Sequence, residues 1–188
     1  AFYKPQWDLY QMDAQGGWNC ATGPGAPIVV AVIDSGIARL HPDLAGLVHP
    51  ASRRIIGSLF DNLIEDEDGH GTFLSGPIAA LTDSNPAIGM ASATWPITVR
   101  LLVLKFYDPR NPLDAASAAK AIAWAVSNGA KVINASWHVG MPSNFLLASI
   151  LYARFMDVLF VAAAGNEYRS AVMNPTRYLY KEGIVVTA

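Results

Sequence analysis

The stretch IVVAVIDSGI, residues 28–37, decides the fold, because six apolar residues lead directly into an aspartate, a serine and a glycine. A short run this rich in valine and isoleucine is typical of a strand buried on both faces. Similar runs alternate along the chain with stretches of helical spacing. Strands are predicted at 28–33, 97–106, 131–137, 158–165 and 183–188, and helices at 72–81, 115–128 and 144–156. This alternation predicts an α/β fold, a doubly wound and mostly parallel sheet with helices on both faces.

The predicted helices have recognisable ends and faces. Asp114 stands at the N-cap of the helix at 115–128, and Gly129 follows its end, where a left-handed glycine commonly closes a helix. In the first helix we expect Phe73, Leu74 and Ile78 to form the buried apolar face.

Composition limits the class of protein. The chain has 188 residues, which favours a single domain over 1–188. It is 52% hydrophobic and only 15% charged, with a formal net charge of -2, so nothing argues for a nucleic-acid partner or an anionic membrane surface. The longest apolar runs, at 28–33 and 158–164, are far shorter than the roughly 20 residues that a membrane-spanning helix needs. The single Cys20 excludes an internal disulfide.

Two residue types that work together in acid–base chemistry stand in suitable places. Asp34 follows the first strand, at the edge where open α/β sheets place catalytic groups. His70 lies between two glycines, which allow close backbone approach, just after the acidic run at 65–68. Each alone has a plain structural interpretation, Asp34 as a turn cap and His70 as a packed histidine. Together they predict a general base that a carboxylate orients.

A third polar group follows the strand VLFVAAAG, where Asn166 ends the apolar run. An asparagine amide at this edge of the sheet can donate hydrogen bonds to a developing oxyanion. Taken alone, the sequence AAGN also suits an ordinary turn.

These motifs, in this order, resemble the subtilisin-like serine peptidases, or subtilases. The resemblance covers almost the whole chain and includes VAVIDSGIARLHPDL, GHGTFLSGPIAAL, IGMASA, AIAWAVSNGAKVINASW and FVAAAGNE. It implies hydrolysis of peptide bonds in a peptide or protein substrate by acyl transfer. On this resemblance Asp34 is the orienting carboxylate, His70 the general acid and base, and Asn166 the side-chain oxyanion donor.

The resemblance also assigns substrate contacts. These are Ser136, Trp137, His138, Gly165 and Met173, with Met173 near the floor of the pocket for the residue before the cleaved bond. His138 stands where the family commonly has glycine, which would reshape the groove, and it is equally well explained as a surface histidine.

A structural calcium ion is the cofactor that the resemblance implies. Its ligands would be Asp43, Leu81, Asp83, Asn85 and Ala87, with carboxylates and loop carbonyls supplying the hard oxygen atoms that calcium prefers. Alternatively, Asp43 caps a turn and Asp83 is solvated. The acidic run at 65–68 is most simply an exposed loop, although it also suits basic substrates or a weaker cation.

The nucleophile of the family is missing from the sequence. The family order is Asp, His, Ser, and the GTSMA-like motif that carries the serine is absent. After Asn166 the only serine is Ser170, which has no glycine elbow around it. We therefore expect a catalytic domain truncated at its C-terminus, inactive by itself, with the serine supplied by a missing segment or by a second chain. Loss of the serine helix would expose the strand at 28–33, so we expect that face to be covered by a second polypeptide, a rearranged sheet or a dimer.

Two other classes of protein fit the sequence less well. A non-catalytic, peptide-binding or degenerate subtilase relative would explain the missing serine, but it would not need Asp34, His70 and Asn166 together. A nucleotide-binding domain is disfavoured, because DSGIARLHPDL has no glycine-rich phosphate loop.

The start of the sequence leaves two locations open. No signal segment opens it, so the protein is either cytoplasmic or already processed. The resemblance to the subtilases favours a secreted or extracytoplasmic location.

Overall fold

The computed structural model describes residues 6–21, 25–82, 89–166, 173–179 and 183–187. The sheet has seven strands in the order β3-β2-β4-β1-β5-β6-β7. The strands are β1 (Ile28–Asp34), β2 (Arg53–Ile56), β3 (Leu59–Asp61), β4 (Val99–Lys105), β5 (Val132–Ala135), β6 (Leu159–Ala163) and β7 (Ile184–Val186). Every pair is parallel except the β2–β3 hairpin. The predicted α/β class is confirmed.

Five α-helices accompany the sheet in the described part of the chain. They are α1 (Trp7–Gln11), α2 (Ala14–Cys20), α3 (His70–Ala79), α4 (Ala115–Ser127) and α5 (Asn144–Phe155). The Asp114 carboxylate accepts hydrogen bonds from the N–H groups of Ala116 and Ser117, and Gly129 adopts a φ of +79° after α4, so the predicted helix ends are confirmed. None of these helices is long and apolar enough to span a membrane.

The two faces of the sheet carry separate cores. Along β1, Ala31 and Ile33 pack in the cluster beneath α4 and α5, whereas Val30 and Val32 pack in the cluster that includes Ala79 of α3. Because the side chains of a strand alternate, β1 is covered on both faces. Val30 is 7% exposed and the next three residues are 0% exposed, and α3 and the segment after β1 pack against this strand within the described chain.

The buried face of α3 differs from the predicted one. Gly71, Ser75 and Ala79 face the sheet, while Phe73 is 72% exposed. Small residues four apart let the helix approach β1 closely: a Cβ on Gly71 would lie 2.3 Å from the carbonyl oxygen of Gly36. The prediction that Phe73 belongs to the core was wrong. The face of α3 that meets the sheet is decided by how closely the helix must approach β1, and not by which of its residues are most apolar.

Candidate active site

The carboxyl edge of the sheet brings the predicted residues to one side of the molecule. Asp34 is the last residue of β1, Ser136 follows β5, and Gly165 and Asn166 follow β6. The three strands are neighbours in parallel register, so their ends lie about 5 Å apart from one strand to the next. This is the edge at which open α/β sheets bind ligands.

Asp34 and His70 are in direct contact. The Nδ1 of His70 lies 2.8 Å from Oδ1 of Asp34, whose side chain is 0% exposed, whereas the His70 side chain is 41% exposed. With Nδ1 donating its proton to the carboxylate, Nε2 of a neutral ring is the acceptor. No described serine hydroxyl hydrogen-bonds to this ring. Asp34 therefore orients the His70 ring and leaves Nε2 without a described partner, so that this nitrogen can accept a proton.

Asp66 organises the turn that presents His70. One carboxylate oxygen accepts a hydrogen bond from the N–H of Gly69 at 2.8 Å, and the other accepts from the N–H of Thr72 at 2.9 Å and from its hydroxyl at 2.6 Å. The Thr72 hydroxyl oxygen in turn accepts a hydrogen bond from the N–H of Ala38, at 2.9 Å. Asp66 thus joins the first turn of α3 to the loop before it, so the acidic run is not merely an exposed loop.

The Asp66 contacts predict a pH-dependent contribution to stability. Burial opposes ionisation of Asp66, but the hydrogen bonds from Thr72 and Gly69 outweigh it and hold the pKa below the ordinary value of 3.8. A lowered pKa means that the stabilisation is present above pH 3.8 and is lost as pH falls through the folded-state pKa. Asp66→Asn should lower the free energy of unfolding at pH 7 by about 1–2 kcal/mol and flatten its decline in acid.

Urea unfolding from about pH 2.5 to about pH 7 checks this expectation, since that range brackets the ordinary aspartate pKa. The exposed Asp157, changed to Asn as a matched control, should leave both the stability and its pH dependence nearly unchanged. Equal pH profiles for wild type and Asp66→Asn would contradict the assignment.

Lys105 ties the same acidic loop to the sheet. It is 2% exposed, and its ammonium donates to the carbonyl oxygen of Glu65 at 2.6 Å and to the carboxylate of Glu67. A buried ammonium needs such partners, because leaving it unpaired would cost several kcal/mol. The run at 65–68 is therefore anchored from β4 as well as from α3.

The Asp34 carboxylate has unequal surroundings at its two oxygens. Oδ1 accepts hydrogen bonds from His70, from the N–H of Ser35 at 2.7 Å and from the hydroxyl of Tyr107 at 3.3 Å. Oδ2 is buried and has no hydrogen-bond partner among the described residues. Burial raises the pKa of Asp34 above the ordinary aspartate value, against the opposing effect of the His70 and Ser35 hydrogen bonds.

Tyr107 is the residue near Asp34 and His70 that the sequence did not indicate. It lies two residues beyond β4, in a loop whose aromatic pair, Phe106 and Tyr107, gave no motif signal. Burial and the nearby carboxylates of Asp34 and Asp68 raise the pKa of Tyr107 well above its usual value. The phenol therefore stays protonated and remains a donor to Asp34.

Tyr107→Phe tests this contact. Loss of a donor to the ionised carboxylate should raise the pKa of Asp34 further, because a hydrogen bond to the charged form favours that form. Titration of ¹³C-labelled aspartate by NMR would follow the change. Tyr152→Phe, which removes a hydroxyl from the exposed side of α5, serves as the control. An unchanged Asp34 titration in Tyr107→Phe would show that the 3.3 Å contact has no energetic weight.

The predicted substrate residues lie on neighbouring segments, but not all are accessible. Trp137 is 5% exposed, and its indole N–H donates to the carbonyl oxygen of Ile33 at 2.7 Å, so its ring belongs to the core. Ser136 and His138, on either side of it, are half-buried. The segment after β5 pairs with the segment before Pro175 through a β-bridge, in which the N–H of Val139 donates to the carbonyl oxygen of Asn174 at 2.7 Å.

Met173 stands beside this bridge and is half-buried. Its terminal methyl lies 3.9 Å from where a Cβ on Gly140 would be, so the two segments meet there. Gly165 has a φ of +101°, a conformation that favours glycine, and the following Asn166 is exposed at the edge of the sheet. The roles of these residues in substrate binding remain predictions.

The predicted calcium ligands are only partly placed. Asp43 is 2% exposed, and its Oδ2 has no partner among the described residues, as suits a carboxylate that binds a cation. The N–H of Leu81 donates to the backbone carbonyl oxygen of Asp43 at 3.4 Å, and a Cβ on Gly89 would lie 1.3 Å from Oδ2, so both ends of the intervening loop reach Asp43. The other three predicted ligands, Asp83, Asn85 and Ala87, lie outside the described residues. Within the described residues no group of three or more His, Cys, Asp or Glu side chains could hold a metal ion.

An open, mostly parallel α/β sheet with a buried aspartate hydrogen-bonded to an exposed histidine at its carboxyl edge has two of the three groups that an Asp–His–nucleophile site requires. The profile of the subtilase family matches residues 25–188, and the chain belongs to this family. Over 92% of this chain it is 34% identical to subtilisin BL of Lederbergia lenta. Over 79% of this chain it is 35% identical to a thermostable alkaline protease of Halalkalibacterium halodurans. The second of these relatives is a protease by name.

Solved structures agree with the fold. The chain superposes on an epidermin leader peptide processing serine protease of Staphylococcus aureus with a TM-score of 0.71 at 24% identity, covering 89% of this chain and 43% of that one. A structure described as S41 psychrophilic protease gives a TM-score of 0.70 at 25% identity, over 92% and 58%. The chain spans 60% of subtilisin BL and 38% of the alkaline protease.

Proposed function

We propose that the chain carries the acid–base half of a subtilisin-like serine endopeptidase. The observation that carries the proposal is the 2.8 Å hydrogen bond between buried Asp34 and His70, whose Nε2 has no described partner. A binding protein would gain nothing from an oriented base with an accessible nitrogen. Membership of the subtilase family supports peptide or protein substrates.

The proposed reaction uses Asp34, His70 and Asn166 together with a serine. A serine hydroxyl adds to the carbonyl carbon of the peptide bond while its proton moves to Nε2 of His70, and the carbonyl electron pair moves onto oxygen. Asn166 donates to this oxyanion. His70 then gives its proton to the leaving nitrogen as the carbon–nitrogen bond breaks, and a water molecule repeats the sequence to release the acid. Asp34 stays ionised and stabilises the imidazolium.

The nucleophile is the part that we assign to a segment beyond these 188 residues, in the same polypeptide or in a second chain. The support is that no described serine hydrogen-bonds to His70 and that the relatives are longer than this chain. We place the protein outside the cytoplasm on the basis of family alone, and we treat 1–188 as part of a single catalytic domain.

A fluorophosphonate probe, which acylates activated serines, tests the function. Intact-mass spectra of the purified protein before and after the probe identify any polypeptide that is labelled. Labelling that disappears in His70→Ala would support the peptidase. Absence of labelling in every polypeptide present would overturn it and favour a non-catalytic, peptide-binding subtilase relative.

Calcium binding is proposed at Asp43, where a bound ion would supply charge for the buried carboxylate. Addition of millimolar Ca²⁺ after EDTA treatment should raise the thermal midpoint by about 5 °C or more, since a ligand at about 100-fold its Kd contributes about 2.7 kcal/mol. Asp43→Asn should abolish the increase, and Mg²⁺ should give a smaller one. An equal increase in wild type and Asp43→Asn would place any calcium site elsewhere.

A further inference from the structure

A cavity of about 630 Å³ lies between the segment that follows β1 and the segment that follows β3, and it has no role in the proposed mechanism. Polar and charged side chains dominate its wall. They are Arg39, His49, Ser52, Arg53, Asp61 and Asn62. Arg39 belongs to the segment that follows β1, and Asn62 to the loop that leads to His70, so the cavity joins the two segments that carry the catalytic pair.

The acidic member of the wall is already neutralised. Asp61 accepts hydrogen bonds from the guanidinium of Arg54 at both oxygens, at 3.1 and 2.5 Å, and from the N–H of Leu63 at 3.0 Å. The Arg54 contacts lower the pKa of Asp61, which keeps it ionised and paired. The strongest acceptor in the cavity is thereby occupied.

The hydrogen-bond donors of the cavity wall, by contrast, are largely without described acceptors. Arg39 makes no hydrogen bond or ion pair with any described residue, and Arg53 uses only Nη1, which donates to the carbonyl oxygens of Pro50 and Ser52. Nδ1 of His49 accepts from the N–H of Ala51, so the neutral ring carries its proton on Nε2 and can donate. Two cations and an imidazole N–H thus face one cavity in which the described carboxylate is already paired.

We infer that this cavity binds the carboxylate of an acidic peptide segment. Arginine forms bidentate hydrogen bonds with carboxylates, and the wall offers two guanidinium groups. Arg39 is five residues from Asp34, so their Cα atoms are at most about 18 Å apart, which an extended peptide spans in about five residues. On the proposed peptidase function, on which this step rests, the cavity selects substrates with Glu or Asp within about five residues of the cleaved bond.

Direct binding tests the inference without any need for catalysis. The probe is acetyl-tetraglutamate amide, followed by ¹⁵N NMR of arginine side chains and by calorimetry, with acetyl-tetraglutamine amide as the neutral comparison. The acidic peptide should shift the Arg39 and Arg53 signals, and Arg39→Gln and Arg53→Gln should each weaken binding about five-fold or more. Arg110→Gln removes a charge from a side chain that is 80% exposed and outside the cavity, so it should change the affinity less than about two-fold.

Several outcomes would overturn the site. Equal weakening by Arg110→Gln would mean diffuse attraction to surface charge, and equal binding of the tetraglutamine peptide would exclude carboxylate recognition. Binding of inorganic phosphate but not of tetraglutamate would remove the peptide from the assignment. If Arg53→Gln does not fold, Arg39→Gln still decides, because Arg39 has no described hydrogen bond or ion pair to lose. Peptide binding without fluorophosphonate labelling would refute the peptidase alone.

Discussion

In the proposed peptidase, with the serine segment present, His70→Ala is expected to lower kcat/KM on a peptide substrate, and the rate of fluorophosphonate labelling, by about 10⁴-fold or more. Loss of a single triad residue has an effect of at least this order in subtilisin, a member of the same family, and the expected magnitude is taken from that enzyme. The physical reason lies in the structure: the His70 ring is the only described group that is held against buried Asp34 and can accept a proton at an accessible nitrogen. Without it the serine would have to lose its proton to water.

A second variant distinguishes the effect of the Asp34 charge from that of the His70 base. Asp34→Asn keeps the His70 ring but removes the buried negative charge that stabilises the imidazolium, so it should also lose activity strongly, with substrate affinity nearly unchanged. His70→Ala also takes a hydrogen-bond partner from the buried Asp34 carboxylate, so its thermal midpoint should fall below that of wild type, and activities are compared at a temperature at which both proteins are folded. A loss of less than about ten-fold in folded His70→Ala would refute the role of His70.

Gly71→Ala is expected to destabilise the protein by about 2–3 kcal/mol. The added Cβ would lie 2.3 Å from the carbonyl oxygen of Gly36 and 3.2 Å from Cβ of Asp34, and backbone cannot rotate away as a side chain can. Either α3 moves away from β1 or the turn after Asp34 is displaced. Both movements lengthen the 2.8 Å contact between Asp34 and His70, so activity should fall together with stability.

Urea unfolding and the Asp34 titration by NMR would measure both effects. Gly17→Ala is the matched control, because the same added methyl in α2 meets nothing within 4 Å and should stabilise the helix slightly. If Gly71→Ala unfolds at the same urea concentration as wild type, the close approach of α3 is not required.

Residues placed by the end of a buried strand could be predicted from the sequence. Residues placed by contacts between distant parts of the chain could not. Asp34 was placed correctly at the edge of the sheet because an uninterrupted apolar run defines a buried strand and therefore its end. His70 followed because a histidine between two glycines stands out in the sequence. Tyr107 was missed, since its distance from Asp34 in the sequence hides a contact that only the parallel pairing of β1 and β4 creates.

The hairpin of β2 and β3 was missed for a different reason. Its strands are four and three residues long, and the stretch RRII gives no clear period of two. The face of α3 was misjudged because packing distance, and not hydropathy, decides which side of that helix meets the sheet. The loop ligands predicted for calcium at 83–87 lie outside the described residues, so that prediction stands on Asp43 and its neighbours alone.

Asp34 and Lys105 are register partners on adjacent strands, two buried opposite charges at the same level of the sheet. No ion pair joins these two described residues, because Lys105 binds the loop at Glu65 and Glu67. An ammonium bound to Asp34 would compete with the imidazolium for the same negative charge. The acidic loop therefore keeps the two buried charges apart. Because Glu67 pairs with the Lys105 ammonium, the Asp34 carboxylate keeps His70 as its charged partner.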